Sequence, residues 1–222
     1  MIKAIIFDFD GTLSNRQLNA HEAYSYYLRD YFPGVEGIEF EAIVQDMLTD
    51  DMNGTTSIKH RVAALVDKYN LPEDFEEKFR AWWYPNMYKF TVLKKDAMSV
   101  LKQLRQDYKL GILSNGGSAS QHSKINKFDL ESYVDEVIVS GDYDIHKPDV
   151  RLFEMMAEKL GVECEECLFV GDVFSSDILG ACRAKMTPVW ILEDTERPSG
   201  LYDGYRIERL SQIFEVLDQE KK

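Results

Sequence analysis

Residues 2–12 have the sequence IKAIIFDFDGT, an apolar segment that ends in two acids and a glycine. Residues 2–7 are rich in β-branched and aromatic side chains, which is typical of a short strand buried on both faces. Asp8 and Asp10 follow this segment, and Gly11 permits a sharp turn after them. The stretch therefore predicts a buried strand that carries two carboxylates into the loop at its carboxyl end.

Further short apolar segments along the chain have the same character. They occupy residues 110–113, 136–139, 168–170, 188–192 and, more weakly, 205–207. Helical periodicity separates them, with one-sided apolar stripes over residues 96–106, 150–160 and 211–219. Gly161 is expected to end the second of these helices, and Ser211 to cap the third. Strands that alternate with helices predict an α/β fold with a mostly parallel sheet and helices on both faces.

One long stretch without a convincing strand interrupts this alternation. Helical patterns fill it at residues 18–31, 40–48, 57–69 and 73–83. Its aromatic residues recur at helical spacing and are expected to form the core of a small bundle: Tyr24, Tyr27, Tyr31, Phe75, Phe79 and Trp82. We therefore expect a core domain of residues 1–14 and 89–222, with an inserted all-helical cap domain of residues 15–88.

The charge balance argues against some classes of partner. The chain has 222 residues and a formal net charge of −13, from 26 Lys and Arg against 39 Asp and Glu. Binding to nucleic acid or to an anionic membrane requires clustered cations, so neither partner is expected. A small phosphorylated molecule remains compatible, because one metal ion and one or two well-placed cations can reverse the local field.

Cys164, Cys167 and Cys182 do not form a recognisable disulfide framework, which indicates a reducing compartment. Cys164 and Cys167 form a C-x-x-C pair, but no second pair completes a zinc site, and Cys167 is expected to pack in a strand. No signal peptide or membrane-spanning segment is recognisable. We expect a cytoplasmic protein that is a monomer or a weak dimer.

Polar residues follow four of the predicted strands. In open parallel sheets, ligands bind at the carboxyl ends of the strands, which share one edge. We therefore expect these residues to converge in one crevice. Asp8 and Asp10 follow the first strand, and residues 114–117 follow the second. Lys147 comes after the third strand and just before a helix, and Asp172 and Asp177 follow the fourth.

Four carboxylates in one crevice would repel each other unless a cation compensated their charge. Carboxylate and carbonyl oxygens suit Mg²⁺, and no His or Cys cluster favours zinc instead. The remaining groups suit a phosphoryl dianion. Ser114 offers a hydroxyl, the backbone of residues 115–117 offers N–H groups at a turn, and Lys147, fixed by Pro148, offers a positive charge.

Two aspartates at positions i and i+2 allow two chemical roles. We expect Asp8 to attack phosphorus and form an aspartyl-phosphate. Asp10 would protonate the leaving oxygen and then activate the water that cleaves the intermediate. Thr12 is expected to fix the turn by a hydrogen bond and to share in substrate binding with Ser114, Asn115 and Lys147.

These segments resemble, in order and spacing, the four motifs of the haloacid dehalogenase-like (HAD) hydrolase superfamily. The matching residues are 8–12, 113–115, 147–149 and 171–177. The resemblance implies a Rossmann-like core, Mg²⁺ and the aspartyl-phosphate route. It also implies metal ligation by the Asp8 carboxylate, the Asp10 backbone carbonyl and Asp172, with Asp177 acting through water or by orienting Lys147. The helical insertion resembles the C1-type cap of the superfamily's phosphatases.

Enzymes of this superfamily catalyse several reactions, and the residue at the position of Asp10 distinguishes them. A dehalogenase needs no acid at that position. A phosphonatase has a different residue there and carries a Schiff-base lysine in its cap. We therefore expect hydrolysis of a small phosphorylated metabolite of the sugar phosphate or nucleotide class. A phosphomutase of the β-phosphoglucomutase type is an alternative, although the cap loop at residues 53–57 has no basic residue before Lys59 and Arg61. A non-catalytic module that binds a phosphorylated metabolite is the alternative of another class.

Some residues keep two interpretations at this point. Asp177 could act near the metal or cap a helix, and Asn115 could touch the substrate or only shape a turn. His21 and His60 are expected at solvated helix positions, and His146 in a loop.

Overall fold

The computed structural model describes residues 1–192, 200 and 202–221, and it divides into two compact units. The core unit comprises Met1–Ser14 and Leu93–Lys222, and the helical unit comprises Asn15–Val92. The sequence predicted the second boundary after residue 88. The units divide after Val92 instead, because the last helix of the helical unit continues to Phe90.

The helical unit consists of helices packed around an aromatic core. They are α1 (Arg16–Leu28), α2 (Gly37–Asp51), α3 (Ile58–Tyr69) and α4 (Phe75–Phe90). Asn15 caps α1 and Ser57 caps α3, because their side-chain oxygens accept the N–H groups of Leu18 and His60. All six aromatic residues predicted for this core pack in it or against it.

A buried polar cluster fixes the loop between α2 and α3. Asp51 accepts from the guanidinium groups of Arg16 and Arg61 at 2.8 Å each. Arg61 also donates to the carbonyl of Thr56 at 2.8 Å. Both guanidinium groups lie over the ring of Trp83, at 5.7 and 5.6 Å from its centroid. Arg61 is therefore bonded within the helical unit through Nε and Nη2, while its buried Nη1 has no hydrogen-bond partner among the described residues.

The core unit is built on a parallel sheet. Its strands are β1 (Ala4–Phe7), β2 (Lys109–Ser114), β3 (Glu136–Val139), β4 (Cys167–Gly171), β5 (Thr187–Ile191) and β6 (Tyr205–Ile207). Their order across the sheet is β3-β2-β1-β4-β5-β6, and each neighbouring pair is parallel. Every predicted strand is present, so the predicted α/β class is confirmed. Cys167 is buried at the start of β4, as predicted.

Strand β1 lies where the strand order reverses. The chain runs outward from β1 through β2 to β3, then returns to β4 on the other side of β1. Phe7, at the end of β1, pairs with Ile112 of β2 and with Val170 of β4. Such a switch point opens a crevice at the carboxyl ends of the central strands. The residues that follow β1, β2 and β4 are thereby directed to one place.

Helices cover both faces of this sheet, as predicted. They are α5 (Ala97–Leu104), α6 (Ser118–Lys127), α7 (Val150–Leu160), α8 (Leu179–Arg183) and α9 (Ile213–Glu220). Side chains alternate across a strand, so Ile5 and Phe7 face one apolar cluster with α5, α6 and α9. Ala4 and Ile6 face a second cluster with α7 and α8. Burial on both faces explains the continuous apolar sequence of β1.

Helix ends differ in part from the sequence prediction. Gly161 ends α7 with a φ of 70°, as predicted. The prediction that Ser211 caps α9 is wrong: Ser211 lies in a 3₁₀ turn, its N–H donates to Asp96, and α9 begins at Ile213. The short α8 and the polar α6 were not predicted. Within the described parts of the chain, no helix is both long and apolar enough to cross a bilayer.

Candidate active site

Lys147 is the central cation of the crevice. Its Nζ donates to Asp8 Oδ1 at 2.6 Å, to Asp177 Oδ1 at 2.8 Å and to the carbonyl of Leu113 at 2.8 Å. Its side chain is only 1% exposed. Burial by itself would lower the pKa of Lys147, but Asp177 and Asp8 raise it above its usual range. The ammonium group therefore stays charged and satisfies its three donors.

Asn115 supports the backbone of Lys147 from the end of β2. Its Oδ1 accepts the Lys147 N–H at 2.8 Å, and its Nδ2 donates to the Lys147 carbonyl at 3.1 Å. This two-way contact joins the loop after β2 to the loop before α7, which brings two of the predicted segments together. Contact between Asn115 and a substrate stays a prediction.

The hydroxyl groups of Thr12 and Ser114 are buried beside these loops. In the described part of the chain neither oxygen has a hydrogen-bond partner. Buried hydroxyl groups without partners are costly, and the cost is removed when a bound group supplies an acceptor or donor. The observation suits the predicted role of Ser114 and Thr12 in binding a phosphoryl group.

Three carboxylates converge next to Lys147. Oxygens of Asp8, Asp172 and Asp177 lie within 4.8 Å of one another. Burial raises the pKa of Asp8 to about 7, with Asp177 and Asp10 adding to the rise while Lys147 opposes it. Burial, followed by the charges of Asp8 and Asp177, raises the pKa of Asp172 well above its usual range.

One lysine cannot neutralise three ionised carboxylates, and their mutual repulsion contributes to the raised pKa values of Asp8 and Asp172. The converging ligand atoms are oxygens alone, which is the set preferred by Mg²⁺. The residues therefore fit a hard divalent cation. Asp8 and Asp172 belong to the ligand set predicted from the sequence, and the carboxylate of Asp177, which was expected in the same crevice, lies close to them.

Asp177 makes contacts that match both of its sequence interpretations. One oxygen accepts from Lys147, and the other accepts the N–H of Val173 at 2.9 Å, at the start of a π-helical turn over Phe174–Ile178. The same carboxylate therefore orients Lys147 and binds a backbone N–H at the start of that turn.

Asp10 is held by two residues that the sequence did not predict. Its Oδ2 accepts from Lys124 Nζ at 2.6 Å and from Gln121 Nε2 at 2.9 Å. Ser14 donates to its other oxygen at 3.3 Å. Gln121 and Lys124 lie three residues apart on one face of α6, the helix that follows β2, but the polar sequence of that helix gives no signal that this face is buried.

His146 contacts the loop after β2 through Ser140. Nδ1 of His146 pairs with the Ser140 hydroxyl at 2.8 Å, and that hydroxyl accepts the N–H of Gly116 at 3.0 Å. His146 thus supports the loop after β2. His21 pairs with Glu41 within the helical unit, and His60 is exposed, as predicted.

Gly11 is required by the close approach of Asp172. Its φ is +91°, and a Cβ built on it would lie 2.3 Å from Asp172 Oδ2. Gly11→Ala is therefore expected to displace Asp172, to destabilise the core unit by about 1–3 kcal/mol and to weaken Mg²⁺ binding about tenfold. Urea unfolding and calorimetric titration with Mg²⁺ measure the two effects.

Gly117→Ala is the matched control, because a Cβ there would meet nothing within 4 Å and its φ is −67°. It should leave both quantities near those of the wild type. Equal stability and equal Mg²⁺ affinity of the two variants would show that the position of Asp172 does not depend on a glycine at residue 11.

The chain matches the family described as haloacid dehalogenase-like hydrolase over residues 5–191. It is 27% identical over 238 residues to a glyceraldehyde 3-phosphate phosphatase of Pyrococcus abyssi, covering 99% of this chain and 95% of that protein. It is 26% identical over 223 residues to a pyrimidine 5'-nucleotidase of Escherichia coli, covering 96% of each.

Solved structures agree with this assignment. A HAD phosphatase from Thermococcus onnurineus is 27% identical with a TM-score of 0.65, covering 97% of this chain and 98% of that one. The HAD-hydrolase YfnB of Bacillus subtilis, solved bound to magnesium, is 22% identical with a TM-score of 0.77, covering 98% and 99%, and it shares the fold. The family match includes the segments around Asp8, Ser114, Lys147 and Asp172. The chain therefore belongs to the haloacid dehalogenase-like hydrolase family.

Proposed function

We propose that this protein is a Mg²⁺-dependent phosphatase that hydrolyses a small phosphorylated metabolite through an aspartyl-phosphate on Asp8. The main support for this proposal is the position of Asp8. Its carboxylate accepts a hydrogen bond from Lys147 and lies close to the carboxylates of Asp172 and Asp177. Asp10 follows it two residues later in the sequence. The phosphatase and nucleotidase names of two full-length relatives support a substrate of the sugar phosphate or nucleotide class.

Asp8 acts as the nucleophile in the first half of the reaction. Its carboxylate oxygen forms a bond to phosphorus while the bond between phosphorus and the ester oxygen breaks. Asp10 donates its proton to that oxygen, so the leaving group departs as an alcohol. Lys147 fixes the Asp8 carboxylate through Oδ1 and offsets its charge.

Asp10 acts as the base in the second half. It takes a proton from water, the water oxygen bonds to phosphorus, and the bond between Asp8 and phosphorus breaks to release phosphate. Ser114, Thr12 and Asn115 lie on the loops that would surround the phosphoryl group. The Asp8 and Asp172 carboxylates and the Asp10 carbonyl would hold Mg²⁺, which supplies charge neutralisation for the phosphoryl oxygens.

Asp10→Asn is expected to lower kcat about 10²- to 10⁴-fold on an alkyl phosphate, because the amide can neither donate nor accept the required proton. The loss should be smaller on p-nitrophenyl phosphate, whose leaving group departs without a proton. Steady-state kinetics on the two substrates measure the difference. An Asp10→Asn enzyme with wild-type kcat on the alkyl ester would remove the acid–base role.

The helical unit is proposed to act as the cap, and its contacts weigh against the phosphomutase alternative. A mutase needs a cation there for a second phosphate. Arg61, one of the two basic residues that follow the cap loop, is bonded to Asp51 and Thr56 within the helical unit. We further propose a cytoplasmic location, supported by the free state of Cys164, Cys167 and Cys182, and a monomer or weak dimer.

A panel of phosphorylated metabolites tests the proposal most broadly. Phosphate release is measured for sugar phosphates, triose phosphates and nucleoside monophosphates, with Mg²⁺ and then with EDTA. We expect release from at least one of these classes with Mg²⁺, loss of at least about 100-fold in EDTA, and recovery on adding Mg²⁺. Isomerisation of a sugar phosphate without phosphate release would instead indicate a mutase. Binding without turnover of any compound would indicate a non-catalytic module.

A further inference from the structure

We infer that Lys124 and Gln121 are positioning residues that hold the Asp10 carboxylate in place for proton transfer. The inference rests on the proposed function, since it concerns how Asp10 performs its part. Neither residue belongs to the four motif segments, and both come from α6. The core unit would then use two lysine–aspartate pairs, Lys147 with Asp8 and Lys124 with Asp10.

The pair is built into the core unit. The Lys124 side chain is 7% exposed and Gln121 is 4% exposed, although both belong to residue types that normally reach solvent. Both donate to the same atom, Asp10 Oδ2, at 2.6 and 2.9 Å. A buried ammonium group is tolerated only where a partner compensates its desolvation, and Asp10 is that partner.

Gln121 also connects Asp10 to the loop after β2. Its Nε2 donates to the carbonyl of Asn115 at 2.8 Å in addition to Asp10. A Cβ on Gly116, whose φ is +146°, would lie 2.6 Å from the same nitrogen, so a glycine is needed for this amide to fit. The Asn115 side chain in turn holds the Lys147 backbone. One set of contacts therefore links the two aspartates and their lysines.

Asp10 needs such support because of its position. Its side chain is 21% exposed, whereas that of Asp8 is 9% exposed, so it lies nearer to solvent. In both half-reactions its carboxyl group must lie within hydrogen-bond reach of a moving proton. Two donors on one oxygen restrict rotation of the carboxyl group, and a misplacement of about 1 Å can cost about 100-fold in rate.

The inference predicts an effect on kcat and not on KM. Lys124→Met keeps an unbranched side chain, one atom shorter than that of lysine, and removes the charge and the donor. We expect kcat on an alkyl phosphate to fall about 10- to 100-fold, with a smaller loss on p-nitrophenyl phosphate, and KM within about threefold of wild type. Lys124→Arg, which keeps a charged donor, should recover part of the loss. Lys127→Met is the matched control, because Lys127 is exposed on the same helix.

The experiment measures kcat and KM of these variants with Mg²⁺ on both substrates, in the wild-type and Asp10→Asn backgrounds. If Lys124 acts through Asp10, Lys124→Met should change kcat by less than about twofold in the Asp10→Asn background. Wild-type kcat in Lys124→Met, a raised KM at unchanged kcat, or an undiminished effect in the Asp10→Asn background would each overturn the inference. These outcomes leave the proposed function standing, which fails in this experiment if the wild-type enzyme releases no phosphate.

Thermal unfolding is recorded for each variant before the assay. If Lys124→Met does not fold, Gln121→Met is assayed instead. That substitution removes the amide donor to Asp10 and leaves the buried ion pair between Lys124 and Asp10. We expect a loss of kcat of about 3- to 10-fold in that variant with KM unchanged. Wild-type kcat in Gln121→Met would then overturn the inference.

Discussion

Asp8→Asn is expected to reduce kcat by at least about 10⁴-fold, which corresponds to about 5.5 kcal/mol of transition-state stabilisation. An amide oxygen is a far weaker nucleophile than a carboxylate, so the bond to phosphorus does not form. The substitution keeps the size of the side chain and an oxygen that can accept from Lys147. Binding of substrate should therefore decrease much less than turnover.

The fold of this variant should be retained, because loss of the Asp8 charge relieves repulsion with Asp172 and Asp177. Asp107→Asn is the matched control: Asp107 is an exposed acid of the same unit. Phosphate release is measured under saturating substrate and Mg²⁺ for the wild type and both variants. Substantial activity in Asp8→Asn, checked by mass spectrometry for deamidation back to Asp, would contradict the assignment of the nucleophile.

Lys147→Met is expected to remove activity and also to destabilise the core unit by about 3–5 kcal/mol in EDTA, because it leaves buried carboxylates without their cation. The three acceptors of its Nζ, on Asp8, Asp177 and Leu113, all lose their donor. Mg²⁺ should restore part of the stability, since a bound cation replaces part of the lost charge. It should not restore activity.

Lys159→Met provides the matched control for this measurement. Lys159 pairs with Glu136 at 3.4 Å on the surface of the same unit, with the two side chains 40% and 33% exposed. Exposed pairs contribute about 0–1 kcal/mol, so its urea unfolding curve should stay close to that of the wild type. Equal stability of the Lys147 and Lys159 variants would mean that Lys147 does not compensate the buried carboxylates.

The strands and the residues at their carboxyl ends could be predicted from the sequence alone. Short apolar segments, separated by stretches of helical periodicity, predicted all six strands and the class of fold. They are recognisable because strands buried on both faces consist almost entirely of apolar residues. The convergence of Asp8, Lys147 and Asp172 followed from the rule for parallel sheets, since each lies just beyond a strand or before a helix. The family resemblance of these segments is confirmed by the match over residues 5–191.

The contacts that support these residues could not be predicted in the same way. Helix α6 is polar along most of its length and does not show an apolar stripe, so Gln121 and Lys124 read as solvated positions. Their burial depends on Asp10, which is more than one hundred residues away in sequence. The burial of Arg16 likewise depends on Asp51, which is 35 residues away in sequence. Pairwise long-range contacts of this kind leave no local pattern.

Trapping the phosphoryl-enzyme tests the central claim most directly. The wild-type protein is mixed with Mg²⁺ and a substrate found in the panel, quenched in acid within the first turnovers, digested and mapped by mass spectrometry. We predict a phosphoryl group on the peptide that contains Asp8, located on Asp8 itself, which disappears on exposure to mild base and is absent from Asp8→Asn. Turnover at the wild-type rate with no phosphoryl group on Asp8, or with the group on another residue, would contradict the account.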